Sequence, residues 1–161
     1  WVGSQGLRFN NLPITLELVS RPKLAEYLKV RTELHSLGVT MSTSYYENER
    51  MTHTEIDRVA VLQGMPSLLF QGVTVHELGH VWLAVQGIHE LPQWAEEGFC
   101  ELLSHRYLSG IKTQDGRYYT ERIEKNSNPI YGDGFRKVKA LADRMGFARF
   151  IEVLVKTKRL P

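Results

Sequence analysis

The chain has 161 residues, 42% of them hydrophobic and 24% charged, which suits one globular core and excludes an intrinsically disordered chain. Its 20 basic and 18 acidic side chains leave a net charge of +2 with no basic stripe or acidic tail, so nucleic acid is not an expected partner. A lone cysteine, Cys100, excludes an internal disulfide framework and favours a reducing, cytoplasmic setting, and no run of about 20 apolar residues offers a membrane span.

The segment "LPITLELVS", residues 12–20, alternates well enough to predict a strand. Ser20 stands before Pro22, a first-turn residue, so "RPKLAEYLKVRTEL" is expected to be helical and Gly38 to close that unit. "TMSTSYYENERMTHTE" is polar and reads as loop or weak strand, and "IDRVAVLQG" as a short strand ending at Gly64. Pro66 and Gly87 bracket a helix over residues 66–86, and Pro92 and Gly110 bracket a second, "PQWAEEGFCELLSHRYL", expected to face the first. The polar stretch that follows predicts a surface excursion with one short helix around Tyr119 to Lys125. The tail "YGDGFRKVKALADRMGFARFIEVLVKTKRLP" reads as two helices broken at Gly146.

Strands first and helices after predict an α+β fold: a small mixed sheet followed by two facing core helices and C-terminal helices. One domain over residues 1–161 is expected, and an opening on Trp1 instead of Met suggests a piece of a longer protein.

Chemistry concentrates in His76-Glu77-Leu78-Gly79-His80, inside the first long helix. Residues four apart project side by side, so His76 and His80 can share one metal ion, while Glu77, about 100° round the axis, can reach a water beside it. With six histidines and fourteen glutamates in the chain, this motif arises by chance about 0.02 times, so two polar core histidines are a poor alternative. The second helix supplies a carboxylate where a zinc site of this kind needs a third ligand, from Glu96 or Glu97. Gluzincin-type peptidases resemble this stretch in their Trp-x-x-Glu-Gly element, and here the Glu before Gly98 is Glu97. Glu101, one turn on, could accept the outer N–H of a ligating histidine, or be a solvated surface carboxylate. His105 reads as a satisfied core histidine and Cys100 as a small buried thiol. Tyr131 is the candidate oxyanion donor, with a packing role as the alternative, and Asp133 and Arg136 are expected to cap and brace the turn beside it.

Two segments, "VLQGMPSLLFQGVTVHELGHVWLAVQGIHELPQWAEEGFCELLSHRYL" and "NPIYGDGFRKVKALADRMGFARFIEVLVKTKRLP", resemble the peptidase domain of the plant DA-one family of ubiquitin-activated regulators of organ size. The E-E-G-x-C element followed by Y-G-D-G-F-R and a terminal T-x-R-x-P carries the resemblance beyond a bare H-E-x-x-H. It implies a zincin-like, cytoplasmic zinc endopeptidase with one Zn2+ per chain. His76, His80 and Glu97 would then be ligands, and Glu77 the catalytic acid and base. Ubiquitin-linked activation enters only through the family, whose ubiquitin-interacting and LIM modules have no counterpart here. The family's Met-Met is replaced by Leu78-Gly79, and its Gln by Glu101, which suggests a distant branch of that family, such as a microbial homologue, and leaves the role of Glu101 open.

The expected function is hydrolysis of peptide bonds in protein substrates by metal-activated water. An extended substrate is expected to pair with "IDRVAVLQG" at a sheet edge. Two rivals are a catalytically silent zinc-containing interaction module and a zinc aminopeptidase, although no acidic anchor for a substrate amine is identifiable in the sequence.

Overall fold

The structure, a computed structural model, describes residues 1–28, 36–48 and 50–161. A 3-10 turn, Gly3–Gln5, precedes β1 (Leu16–Val19), α1 (Arg21–Tyr27), β2 (Gly38–Glu47) and β3 (Arg50–Leu62). Five helices follow: α2 (Ser67–Val85), α3 (Gln93–Ser109), α4 (Gln114–Glu124), α5 (Tyr131–Met145) and α6 (Phe147–Thr157). The mixed α+β expectation agrees with this order.

The three strands form one sheet in the order β1-β3-β2, with β1 parallel and β2 antiparallel to β3. This corrects the expectation that "IDRVAVLQG" lies at an edge. β3 is central, and Val61 pairs with Leu18 on one side and Gly38 on the other, fully buried. The first strand is shorter than predicted, and Gly38 begins β2 instead of closing a helix. The predicted helix after Ser20 is observed over Arg21–Tyr27, and its expected continuation through residues 29–34 lies outside the described residues.

Of the stretch expected as loop or weak strand, residues 40–47 and 50–55 belong to the long β2–β3 pair. Its far half is stabilised by cross-strand contacts that leave no apolar alternation: Ser44 with Thr54, Thr43 with Asp57, and Tyr45 stacked on His53 at 4.3 Å. At its near half the sheet is covered on both faces. Val59 and Val61 pack with Val81 of α2, while Ala60 and Val19 pack with Leu24 of α1.

Helix α2 is enclosed by the sheet on one side and α3 on the other, which is why its sequence is apolar nearly all round. The main core joins Trp82 of α2, Phe99 and Leu103 of α3, Phe135 of α5 and Phe150 and Leu154 of α6, all buried. At about 25 cal/mol per Å2 of apolar surface, each such side chain contributes about 1.5–3 kcal/mol. Helix α4 starts five residues earlier than predicted. Thr113 caps it by accepting from the Gly116 amide at 3.1 Å, and Gly116 lies where a Cβ would be 2.2 Å from the Ile111 carbonyl oxygen. That glycine serves a close approach inside the helix.

Candidate metal centre

Two proline-opened helices bring the site together. Pro66 precedes α2 and Pro92 precedes α3, so each helix starts at a fixed point and presents its middle or first turns to the other. Gly79 and Cys100 mark one crossing: a Cβ at Gly79 would sit 2.8 Å from the Cys100 Sγ. Gly98 marks another, since a Cβ there would fall 2.4 Å from the Gly134 carbonyl carbon of α5. These close approaches hold the start of α3 between α2 and α5.

His76 and His80 lie along one face of α2, with ring centroids 5.2 Å apart. Glu97 of α3 faces both: its Oε2 is 3.2 Å from His76 Nε2 and 3.5 Å from His80 Nε2. The outer nitrogens also meet carboxylates. His80 Nδ1 donates to Glu96 Oε1 at 2.9 Å, and His76 Nδ1 lies 3.6 Å from Glu101 Oε1. Adjacent glutamates therefore take opposite nitrogens of one ring. The choice the sequence left open between Glu96 and Glu97 has a geometric counterpart, because Glu97 alone of the two points at both inner nitrogens.

The electrostatics follow from this packing. Burial opposes the charge on Glu97, yet the contacts with His76 and His80 hold its carboxyl down at about 2. Burial works against charge on His76, and Glu97 and Glu101 outweigh it, raising the imidazole above its ordinary value. Burial likewise opposes charge on His80, where Cys100, Glu96 and Glu97 prevail and raise it well above the ordinary range. Glu101 is pushed up by burial more than the histidines pull it down.

Cys100 is a second nearby donor. His76, His80 and Cys100 each offer an atom within 4.8 Å of the others. Burial pushes the Cys100 thiol up to about 12, however, so it carries its proton, whereas Glu97 is a formed anion in contact with both Nε2 atoms. Glu97 is therefore the better-prepared third donor.

Glu77, 5% exposed, lines the same cleft on its β2 side, where its Oε2 accepts from the Thr40 hydroxyl at 2.8 Å. Tyr131, at the first turn of α5, faces the same cleft with its ring centroid 6.4 Å from that of His76. Asn128 Oδ1 accepts from the amides of Ile130 and Tyr131, and Arg136 ties Asp133 to the carbonyls of Glu124 and Asn126. The bracing expected of Asp133 and Arg136 is present. His105 stands away from the cleft, buried beside Phe135 and bonded to Glu124 at 2.8 Å. The cleft has a volume of about 430 Å3 and is walled by β2 on one side and by α2 and α3 on the other.

Sequence reasoning missed two contributors, Thr40 and the Nδ1 contact of Glu96. Thr40 lay in a polar stretch without a helix signal, and no spacing relates it to Glu77. The Glu-Glu pair was visible as two alternatives for one ligand, and no spacing assigns the second glutamate to an outer ring nitrogen.

The fold and the site together define an α+β domain built around a His-Glu-x-x-His helix with a carboxylate-bearing partner helix. The chain belongs to the DA1-like family, described as Protein DA1, whose pattern matches residues 16–116. Similar relatives include Protein DA1 of Arabidopsis thaliana, 27% identical over 135 residues that make up 66% of this chain and 25% of the relative. Protein DA1-related 2 of Arabidopsis thaliana is 26% identical over 148 residues, 70% of this chain and 28% of its own length. LIM domain-containing protein HDR3 of Oryza sativa subsp. japonica is 24% identical over 143 residues, covering 66% of this chain and 28% of the relative. The chain thus spans about a quarter of the length of these relatives. No solved structure matches it. Among the described residues, no helix is long and apolar enough to cross a membrane.

Proposed function

We propose that this chain is a zinc-dependent metallopeptidase domain that cuts peptide bonds in protein substrates, with endopeptidase action. The observation that carries the reading is the triangle of His76 Nε2, His80 Nε2 and Glu97 Oε2, with the carboxylate oxygen 3.2 Å and 3.5 Å from the two nitrogens. Ligands of a tetrahedral zinc with bonds of about 2.0–2.2 Å stand about 3.3–3.5 Å apart. The donors are also of the right chemistry: two imidazoles whose outer nitrogens face carboxylates, which keeps the inner lone pairs free for an ion, and one anionic oxygen. His76, His80 and Glu97 would hold one zinc per chain.

Zinc at such a site supplies a Lewis acid for the scissile carbonyl and acidifies water toward a pKa of about 7. Glu77 takes the proton of the attacking water and returns it to the departing amine. Tyr131, held at the mouth by Asn128, donates its hydroxyl to the developing oxyanion.

The substrate enters as an extended strand. Leu62 N–H donates to the Leu37 carbonyl, so alternation turns the N–H and C=O of Gly38 and Thr40 away from β3, toward the outer edge of β2. That edge borders the cleft, and it replaces β3 as the pairing surface.

Cleavage of blocked peptides by the zinc-loaded chain, lost in Glu77→Gln while zinc is retained, is the expected result. Turnover confined to peptides with a free amine would mark an aminopeptidase. Equal and negligible turnover by both proteins would leave a silent zinc module.

A further inference from the structure

We infer that Thr40 and Gly38 of β2 form a clamp that positions the Glu77 carboxylate, an inference that rests on the peptidase reading above. Glu77 has three rotatable side-chain bonds, and its carboxylate makes its hydrogen bond across to β2. Thr40 and Gly38 lie two apart on β2, opposite Val59 and Val61, so both face α2.

The clamp has two jaws. Thr40 Oγ1 lies 2.8 Å from Glu77 Oε2 and 3.1 Å from the Glu77 carbonyl oxygen. The hydroxyl has one proton, and the carboxylate is the stronger acceptor, so that proton is donated to Oε2. On the other side, Gly38 makes room: a Cβ there would come within 2.6 Å of Glu77 Oε1 and 2.9 Å of its Cγ. One oxygen is held by a hydrogen bond and the other lies against bare backbone. Rotation of the carboxylate is then limited on both sides, which leaves its entropy already spent before substrate arrives.

Thr40 thereby acts as a positioning residue. Its own N–H and C=O face the outer edge of β2, so the strand that would receive the peptide also aims the base. Substrate register and base position share one rigid element, and a carboxylate misplaced by about 1 Å can cost about 100-fold in rate.

The test uses the zinc-loaded chain and compares Thr40→Val, which keeps the shape and removes the hydroxyl, with Thr40→Ser, which restores it. Thr40→Val is expected to lower kcat by about 10- to 100-fold with KM and bound zinc unchanged, and Thr40→Ser to recover most of the loss. Gly38→Ala should lower kcat in the same way by pushing the carboxylate aside. A folded Thr40→Val chain with wild-type kcat overturns the inference. Chemical denaturation of the zinc-free wild type, Thr40→Val, Glu77→Leu and the double variant gives a readout independent of turnover. Destabilisations that fail to add support the contact, and strictly additive ones overturn the clamp alone. A zinc-loaded wild type without peptidase activity overturns the peptidase reading, and with it the purpose of the clamp.

Discussion

Glu96 Oε1 sits 2.9 Å from His80 Nδ1, on the far side of the ring from Glu97. A carboxylate on the outer nitrogen fixes the tautomer and raises the basicity of the inner one. Glu96→Ala is therefore expected to weaken zinc affinity by about 10- to 100-fold, whereas Glu97→Ala should remove tight binding altogether. Competition titration against a chelator of known affinity measures both. Equal effects of the two substitutions would show that the neighbours do not differ in role.

Stability of the zinc-free chain should peak in mildly acidic solution. Glu97 is held at about 2 against an ordinary 4.5, so its share of stability is present above 4.5 and lost as pH falls toward 2. His76 and His80 are raised above 6.5, so their share is complete below 6.5 and lost as pH climbs through the raised values. Glu101, pushed above 4.5 by burial, contributes stability that is complete below 4.5 and lost as pH climbs through its raised value, so it draws the maximum toward the acid end of the window. Thermal melts should show a maximum between pH 4.5 and 6.5, with a loss on the order of 3 kcal/mol on the acid side and a further fall on the alkaline side. Glu97→Gln should flatten the curve, and excess zinc should abolish the alkaline fall by occupying the inner nitrogens. A zinc-free Tm that climbs steadily with pH would contradict this account.

Gly98 is required by packing, not by chain reversal. A Cβ at this position would meet the Gly134 carbonyl at 2.4–2.5 Å and the Phe135 amide nitrogen at 2.9 Å, all backbone atoms that cannot swing away. Gly98→Ala should destabilise by about 1–3 kcal/mol or more and separate α3 from α5, carrying Glu97 and Tyr131 apart. Chemical denaturation measures the first effect. An unchanged midpoint would mean that the crossing is looser than these distances.

Backbone pairing along β2 predicts a pattern in peptide substrates. N-methylation at positions that would donate to the β2 edge should raise KM several-fold, while methylation one residue away, facing outward, should leave it alone. A methyl scan of one cleaved peptide reads this directly. Insensitivity at every position would remove β2 as the docking strand.

Much of the helical layer was legible because prolines and glycines punctuate it. Pro66, Pro92 and Gly146 stand at or next to the observed ends, and the His-Glu-x-x-His spacing implies its own geometry. The β2–β3 pair was illegible because its outer half is held by polar cross-strand contacts such as Ser44 with Thr54. The position of β3 in the sheet could not be read either, since strand order depends on long-range pairing that no local pattern records. The same holds for Thr40, whose link to Glu77 spans 37 residues and exists only once β2 lies over α2.

The most direct test of the metal centre is a crystal structure of the zinc-soaked protein with anomalous scattering at the zinc edge. A single ion bonded to His76 Nε2, His80 Nε2 and a Glu97 carboxylate oxygen at about 2.0–2.2 Å is the predicted result. An ion bonded to Cys100 in place of Glu97, or no ion between the two helices at saturating zinc, would contradict it.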